Sequence, residues 1–239
     1  EKELYDLTVD PYQLESKHAD SAYNSVTSGL QSMLATLGNC VGVSCWMITP
    51  EPKLPIDSFW SMDEASWNGT TGEVLDSSGN SNHATASCNG TGCSVPTTTG
   101  GKLNNGGSFD GVDDYVISPK NVFDPSSTDF TAAIWFKPSQ IGTFKVLVSQ
   151  QDGTGTGRYW LAQTAGGLLT SNITGTVFNG TTTLSPNNWY HAVLTKSGST
   201  VTLYLNGVQE STSSGTVSSA SGNSVIGANK LTNSNFFSG

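Results

Sequence analysis

The stretch "NWYHAVLTKSGSTVTLYLNGVQE", residues 188–210, decides how this chain folds. Val201, Leu203 and Leu205 alternate with Thr200, Thr202 and Tyr204, the period of two that sends every second side chain to one face of a strand. Turn signals punctuate the run. "TKSGST" (195–200) precedes it, and "YLNGVQ" (204–209) carries the Asn-Gly dipeptide that tight antiparallel hairpins prefer. Strand, turn, strand, turn is the simplest reading.

Working outward, the same period recurs in "DYVISP" (114–119), "FTAAIWFKPS" (130–139), "KVLVSQQD" (145–152), "RYWLAQ" (158–163) and "NSVIGAN" (223–229). Each segment is bounded by Gly, Asn, Ser or Pro. Many short strands with no helical pattern between them predict a mainly β chain from about residue 56 onward. A two-sheet antiparallel sandwich or jelly roll is the expected architecture.

The first 64 residues differ. They hold 13 of the 29 charged residues, and Tyr12, Ala19, Tyr23, Val26, Leu30, Met33 and Leu37 trace one apolar stripe. That spacing predicts an amphipathic helix of about seven turns, stopped near Gly38-Asn39. The proline-bearing "TPEPKLP" (49–55) then reads as a connector, giving a helical segment over 1–55 and a β domain over 56–239.

Composition narrows the partners. The formal net charge is −9, which opposes binding to nucleic acid or anionic lipid surfaces. No run of about 18 apolar residues is present. The cysteines fall in two equally spaced pairs, "CVGVSC" (Cys40, Cys45) and "CNGTGC" (Cys88, Cys93), with no histidine placed to complete a zinc site. Two small disulfide loops are the simplest reading, crossed pairing and buried thiols being the alternatives. Disulfides imply an extracellular address, and four N-x-S/T sequons, at Asn68, Asn89, Asn172 and Asn179, are compatible with it.

"FWSMDEASWNGTTGEVLDSSGNSNHATA" (59–86), "GGSFDGVDDYVISP" (106–119), "FTAAIWFKPS" and "NNWYHAVLTKSGSTVTLYLNGVQ" (187–209) together resemble the laminin-G-like, concanavalin A-like jelly-roll domains of bacterial surface proteins. The resemblance spans residues 56–237. It implies two curved sheets packed face to face, binding of a carbohydrate or glycoprotein, and often one calcium ion. It also implies that Trp135 and Trp189 are core residues. The family closes with a strand after an F-x-G turn, and "NFFSG" (235–239) stands where that strand would begin. The N-terminal helix resembles, in architecture alone, the soluble half of a type IV pilin's long helix. That would make other pilus subunits its partners and the cell surface or a pilus its location.

The same architecture hosts glycosidases, which need two facing carboxylates. No strand here carries an acid pair, the E-x-D-x-x-E pattern of laminarinase-like enzymes is absent, and beyond residue 64 the only glutamates are Glu73 and Glu210. His18, His83 and His191 are scattered, and no G-x-S-x-G elbow or phosphate loop exists. The expectation is a non-catalytic adhesin or lectin-type module, a structural filament subunit being the alternative.

Three acidic positions, Asp110, Asp113 and Asp114, precede the strand at 114–119 and read as a turn in which aspartates accept from backbone amides. For calcium, "LDSSGNSNHA" (75–84) is the stronger candidate. Asp76, Asn80 and Asn82, with carbonyls around Gly79, offer oxygens on one tight loop, an Asx-rich turn being the competing reading. For glycan contact the candidates are Arg158, Tyr159, Trp160 and Gln163, and a second group, Phe178 and Asn179, expected on a loop. Tyr159 and Trp160 must point to opposite faces, so only one of them can line a concave sheet.

Overall fold

The computed structural model describes residues 16, 17, 19–38, 56–120, 129–150, 159–173, 175–216, 222–229 and 233–239. The chain divides into two compact units, Glu1–Pro55 and Ile56–Gly239.

In the first unit the Asp20 carboxylate accepts from the Ala22 amide at 2.9 Å. That cap opens a single 3-10 turn, Ser21–Tyr23, which runs into helix α1, Asn24–Gly38. Ala19 lies in the turn ahead of the cap, so the helix is shorter than the stripe predicts. Asp20 is the reason: an aspartate terminates a helix well and continues one poorly. Val26 and Leu30 are 47% and 42% exposed on α1. Tyr12 and Asn39 lie outside the described residues, as do the side chains of Met33 and Leu37.

The second unit is antiparallel β throughout its named strands. In chain order these are β1 (Thr85–Cys88), β2 (Thr97–Gly100), β3 (Asn105–Ser108), β4 (Asp114–Lys120), β5 (Phe130–Phe136), β6 (Lys145–Gln150), β7 (Tyr159–Gln163), β8 (Leu168–Ile173), β9 (Thr176–Thr183), β10 (Tyr190–Ser197), β11 (Thr200–Leu205), β12 (Val208–Ser214) and β13 (Asn223–Ile226). One sheet has the order β1-β4-β13-β6-β7-β8-β9 and the other β12-β11-β10-β5, with β2-β3 as a separate ribbon. The mainly β, two-sheet sandwich expected from periodicity is what the chain forms.

The two inner faces supply the core. Phe130, Phe136, Ala192, Leu194, Val201, Leu203 and Leu205 come from the four-stranded sheet. They meet Val116, Leu147, Tyr159, Leu161, Leu169 and Ile173 of the seven-stranded one. Burying each large apolar side chain contributes about 1.5–3 kcal/mol, which is why the alternating rows fix the register. A smaller cluster of Tyr115, Val225, Ala228 and Phe236 forms separately. Between β11 and β12, Asn206 and Gly207 both take positive φ (51° and 81°), the tight turn their dipeptide predicts.

The margins are tied by polar contacts. Glu210 of β12 receives the Thr181 and Thr182 amides of β9 at 2.6 and 2.8 Å, and both threonine hydroxyls, joining the edges of the two sheets. Phe109 and Gly239 exchange paired backbone bonds of 2.9 and 3.0 Å. Cys88 and Cys93 form a disulfide, while Cys40 and Cys45 lie outside the described residues.

Candidate functional site

The glycan-contact residues expected from sequence do not stay together. Tyr159 is 2% and Gln163 1% exposed. They share the inward row of β7 with Leu161, so neither reaches a ligand, and the expectation for both is corrected. Tyr159 packs against Phe130 at 5.0 Å, and burial pushes its hydroxyl pKa up. The Gln163 side-chain amide donates to the Gln140 carbonyl at 3.0 Å. Phe178 and Asn179 lie on strand β9, not on a loop. Phe178 packs against the core, while Asn179 is exposed.

What survives of the group faces outward from the seven-stranded sheet. Trp160 is half-buried, edge-on to Phe144 at 5.2 Å, in a cross-strand row with Ser149, Asn172 and Val177. Asn172 accepts from the Gly175 amide at 3.0 Å and is 8% exposed. Arg158 lies outside the described residues.

A second aromatic face lies on the other sheet, from residues expected to be core. Trp135 is 44% exposed. Strand period explains the correction: Phe130, Ala132, Ile134 and Phe136 take the inward row of β5, leaving Trp135 on the outward one. Register places His191 of β10 directly beside it, and the two rings lie 4.9 Å apart. Trp189 precedes β10, and the Asn206-Gly207 turn closes one side. With Lys102, from the turn between β2 and β3, these residues line a groove of about 500 Å³.

The polar groups of the groove point one way. Asn206 Oδ1 accepts the His191 amide N–H at 2.9 Å, which fixes the side-chain amide so that its NH₂ is the end left over. Lys102 Nζ lies 5.5 Å from the Trp135 ring, and Lys137 Nζ lies 5.9 Å from the Trp189 ring. Among the described residues, no Asp or Glu lines the groove. A patch of aromatic faces beside free N–H groups, shallow and open, can hold a sugar ring by stacking and hydrogen bonds. Among the described residues it lacks the two facing carboxylates that most glycosidases use.

Both acidic loops are knit by hydrogen bonds from turn amides. Asp76 Oδ1 accepts the Phe59 and Ser78 amides, each at 2.8 Å; Oδ2 accepts the Ser78 hydroxyl at 2.8 Å and the Asn82 amide at 2.9 Å. Burial alone would raise its pKa, but these bonds hold it below the usual value. The side-chain NH₂ groups of Asn80 and Asn82 both donate to the Asp57 carbonyl, at 3.1 and 2.8 Å. Both oxygens of the one carboxylate on the loop are thus engaged by donors, and only neutral oxygens remain. Calcium requires six to eight oxygens and favours carboxylates. The arrangement of Asp76, Gly79, Asn80 and Asn82 is an Asx turn and does not fit that ion.

Asp110 Oδ1 accepts the Val112 and Asp113 amides at 2.7 and 3.3 Å, and Asp114 Oδ2 accepts the Asp110 amide at 2.8 Å, the turn chemistry expected from sequence. Asp114 is 4% exposed and its Oδ1 has no donor. Burial, then the charges of Asp110 and Asp113, push its pKa up to about 6. Glu73 likewise receives turn amides, from Asn68 and Gly69 at 2.7 Å each.

A family profile described as the concanavalin A-like lectin/glucanases superfamily matches residues 110–239. The chain belongs to this superfamily. The concanavalin A-like domain is similar in fold to domain 4 of AbnA, a GH43 extracellular arabinanase from Geobacillus stearothermophilus, solved in complex with arabinotriose. Identity is 19%, coverage is 69% of this chain and 81% of that one, and the TM-score is 0.54. Other neighbours are the CBM40 of the Ruminococcus gnavus IT-sialidase bound to α2,3-sialyllactose and mouse laminin α1 domains LG4-5. The first has 14% identity, coverage 46% and 70%, TM-score 0.41; the second has 16%, 55% and 38%, and 0.43. No curated protein sequence matches the chain.

Proposed function

We propose that the concanavalin A-like domain is a non-catalytic glycan-binding module, and that its contact site is the groove around Trp135. The observation that carries this reading is an exposed tryptophan on a rigid strand, flanked by Trp189 and His191 and by the Asn206 amide. Aromatic rings fixed by backbone register lose little freedom on binding, so their stacking area converts well into affinity. The superfamily and the arabinotriose complex of the AbnA domain support a saccharide as the ligand class. The Cys88–Cys93 bridge supports an extracellular address.

A glycan array probed with the full chain tests this. Binding is expected on a subset of saccharides, unchanged by calcium or chelator and reduced at least about tenfold by Trp135→Ala. Signals that Trp135→Ala leaves intact would move the site elsewhere. A flat array would remove the lectin reading.

A second reading has its own observation. The exposed Val26 and Leu30 on α1 suit a helix that docks along other subunits, which supports surface display through a filament of the pilus type. Cross-linking from Leu30→Cys in the native host tests it; a variant that remains unlinked would argue against assembly through this face.

A further inference from the structure

The Trp135 groove is one-sided in its chemistry. Trp135 and Trp189 each bring an indole N–H, Asn206 brings the two hydrogens of its fixed NH₂, and Lys102 brings three more, all of them donors; the His191 imidazole, which in its neutral form has one donor and one acceptor nitrogen, is the single mixed side chain of this lining. Among the described residues, no hydrogen bond engages the two indole N–H groups, the Asn206 NH₂ or Lys102. The chain as a whole holds 19 acidic against 10 basic residues, yet among the described residues no carboxylate lines this groove and a second ammonium, that of Lys137, stands beside Trp189.

We infer that the groove selects a saccharide bearing a carboxylate over its neutral counterpart. A sugar hydroxyl both donates and accepts, so a wall of donors satisfies only half of it. A carboxylate accepts only, with about four lone-pair sites, and charge-assisted bonds to it are about twice as strong as neutral ones. The ring stacks on Trp135 while the acid meets Lys102 and the Asn206 amide. Overall charge sets the upper bound: a net charge of −9 repels a polyanion, so the ligand carries isolated acids on separate sugars rather than dense sulfate or phosphate. This rests on the glycan-binding reading and adds the class of sugar.

The test is a set of NMR titrations of the full chain with glucuronate-, galacturonate- and sialate-terminated oligosaccharides and the methyl ester of each. The esters keep ring and shape and lose only the charge. The expected result is that at least one acid binds about tenfold or more tighter than its ester, shifting the Trp135 and Asn206 side-chain signals. Lys102→Met is expected to bring that ratio close to one without weakening the ester, and Trp135→Ala to weaken both. Acid and ester binding alike, with dependence on Trp135, overturns this inference and leaves the glycan reading standing. An acidic peptide binding as tightly as the acid sugar overturns it, because charge alone would then suffice. If no acid binds at millimolar concentration, the inference falls, and the array with neutral sugars decides the wider reading. Both variants alter exposed side chains, so retained thermal stability certifies them as folded.

Discussion

Neighbouring residues on one strand do opposite work. Phe136 is 3% exposed and faces the core, while Trp135 lies on the outward row. Phe136→Ala is expected to cost about 3–5 kcal/mol in urea denaturation, and Trp135→Ala less than about 1 kcal/mol. Equal losses would show that Trp135 is packing after all. Asp114 gives a second prediction at this scale. Its carboxyl has an ordinary pKa of 3.8 and is raised to about 6 in the fold. Below 3.8 both states hold the proton and there is no penalty. Between 3.8 and about 6 the folded state keeps a proton that the unfolded chain releases, so stability falls as pH rises; above about 6 the loss is complete. The full drop is of order 3 kcal/mol. Asp114→Asn keeps an acceptor for the Asp110 amide and removes the charge, so it is expected to flatten this slope. Urea midpoints at pH 4 and pH 7.5 check it, and a slope that persists in the variant would place its origin elsewhere.

Among elements, the contact of β9 with β12 shows how the sandwich margin is sealed. Burial raises the Glu210 pKa, but the bonds from Thr182 and Thr181 outweigh it and leave the carboxyl below its ordinary value of 4.5. Stability from this contact is therefore present above that value and is lost as the pH falls through the folded pKa. Gly180 is required for the approach, since a Cβ there would stand 2.8 Å from Glu210 Oε2 and 3.2 Å from its Cβ. Glu210→Ala is expected to speed hydrogen exchange at the Thr181 and Thr182 amides at pH 7, with Gly180→Ala following in the same direction. The difference from wild type should shrink in acid. The same strands show where sequence is silent. The hairpin of β11 and β12 is legible because Val201, Leu203 and Leu205 alternate along β11 and Asn206-Gly207 marks the turn that follows. Strand β8, "LLTSNI", is not, because Leu169, Thr170, Ser171 and Asn172 are all buried and the alternation disappears. Strands β1 to β3 are four residues each and rich in Thr, Gly and Ser.

For the whole molecule, the fold could be read from sequence because one signal, period two, repeats in many segments. The groove could not be, because four separate stretches build it: Lys102, Trp135, Trp189 to His191, and Asn206-Gly207. Parity within "FTAAIWF" does place Trp135 opposite Phe130 and Phe136, and that signal outranks the packing role suggested by family resemblance. The Cys88–Cys93 bridge closes a small loop, and by chain entropy it contributes about 2 kcal/mol. Cys88→Ser with Cys93→Ser is expected to lower the melting temperature by several degrees, and dithiothreitol to reproduce the shift. Trp135 and Trp160 sit on outward faces of different sheets of the same sandwich, back to back across its core. A domain resting on a surface through one of them turns the other to the surrounding medium. The β domain therefore offers an aromatic side chain on each of its two broad sides, so that a partner held on one leaves the other facing away from it.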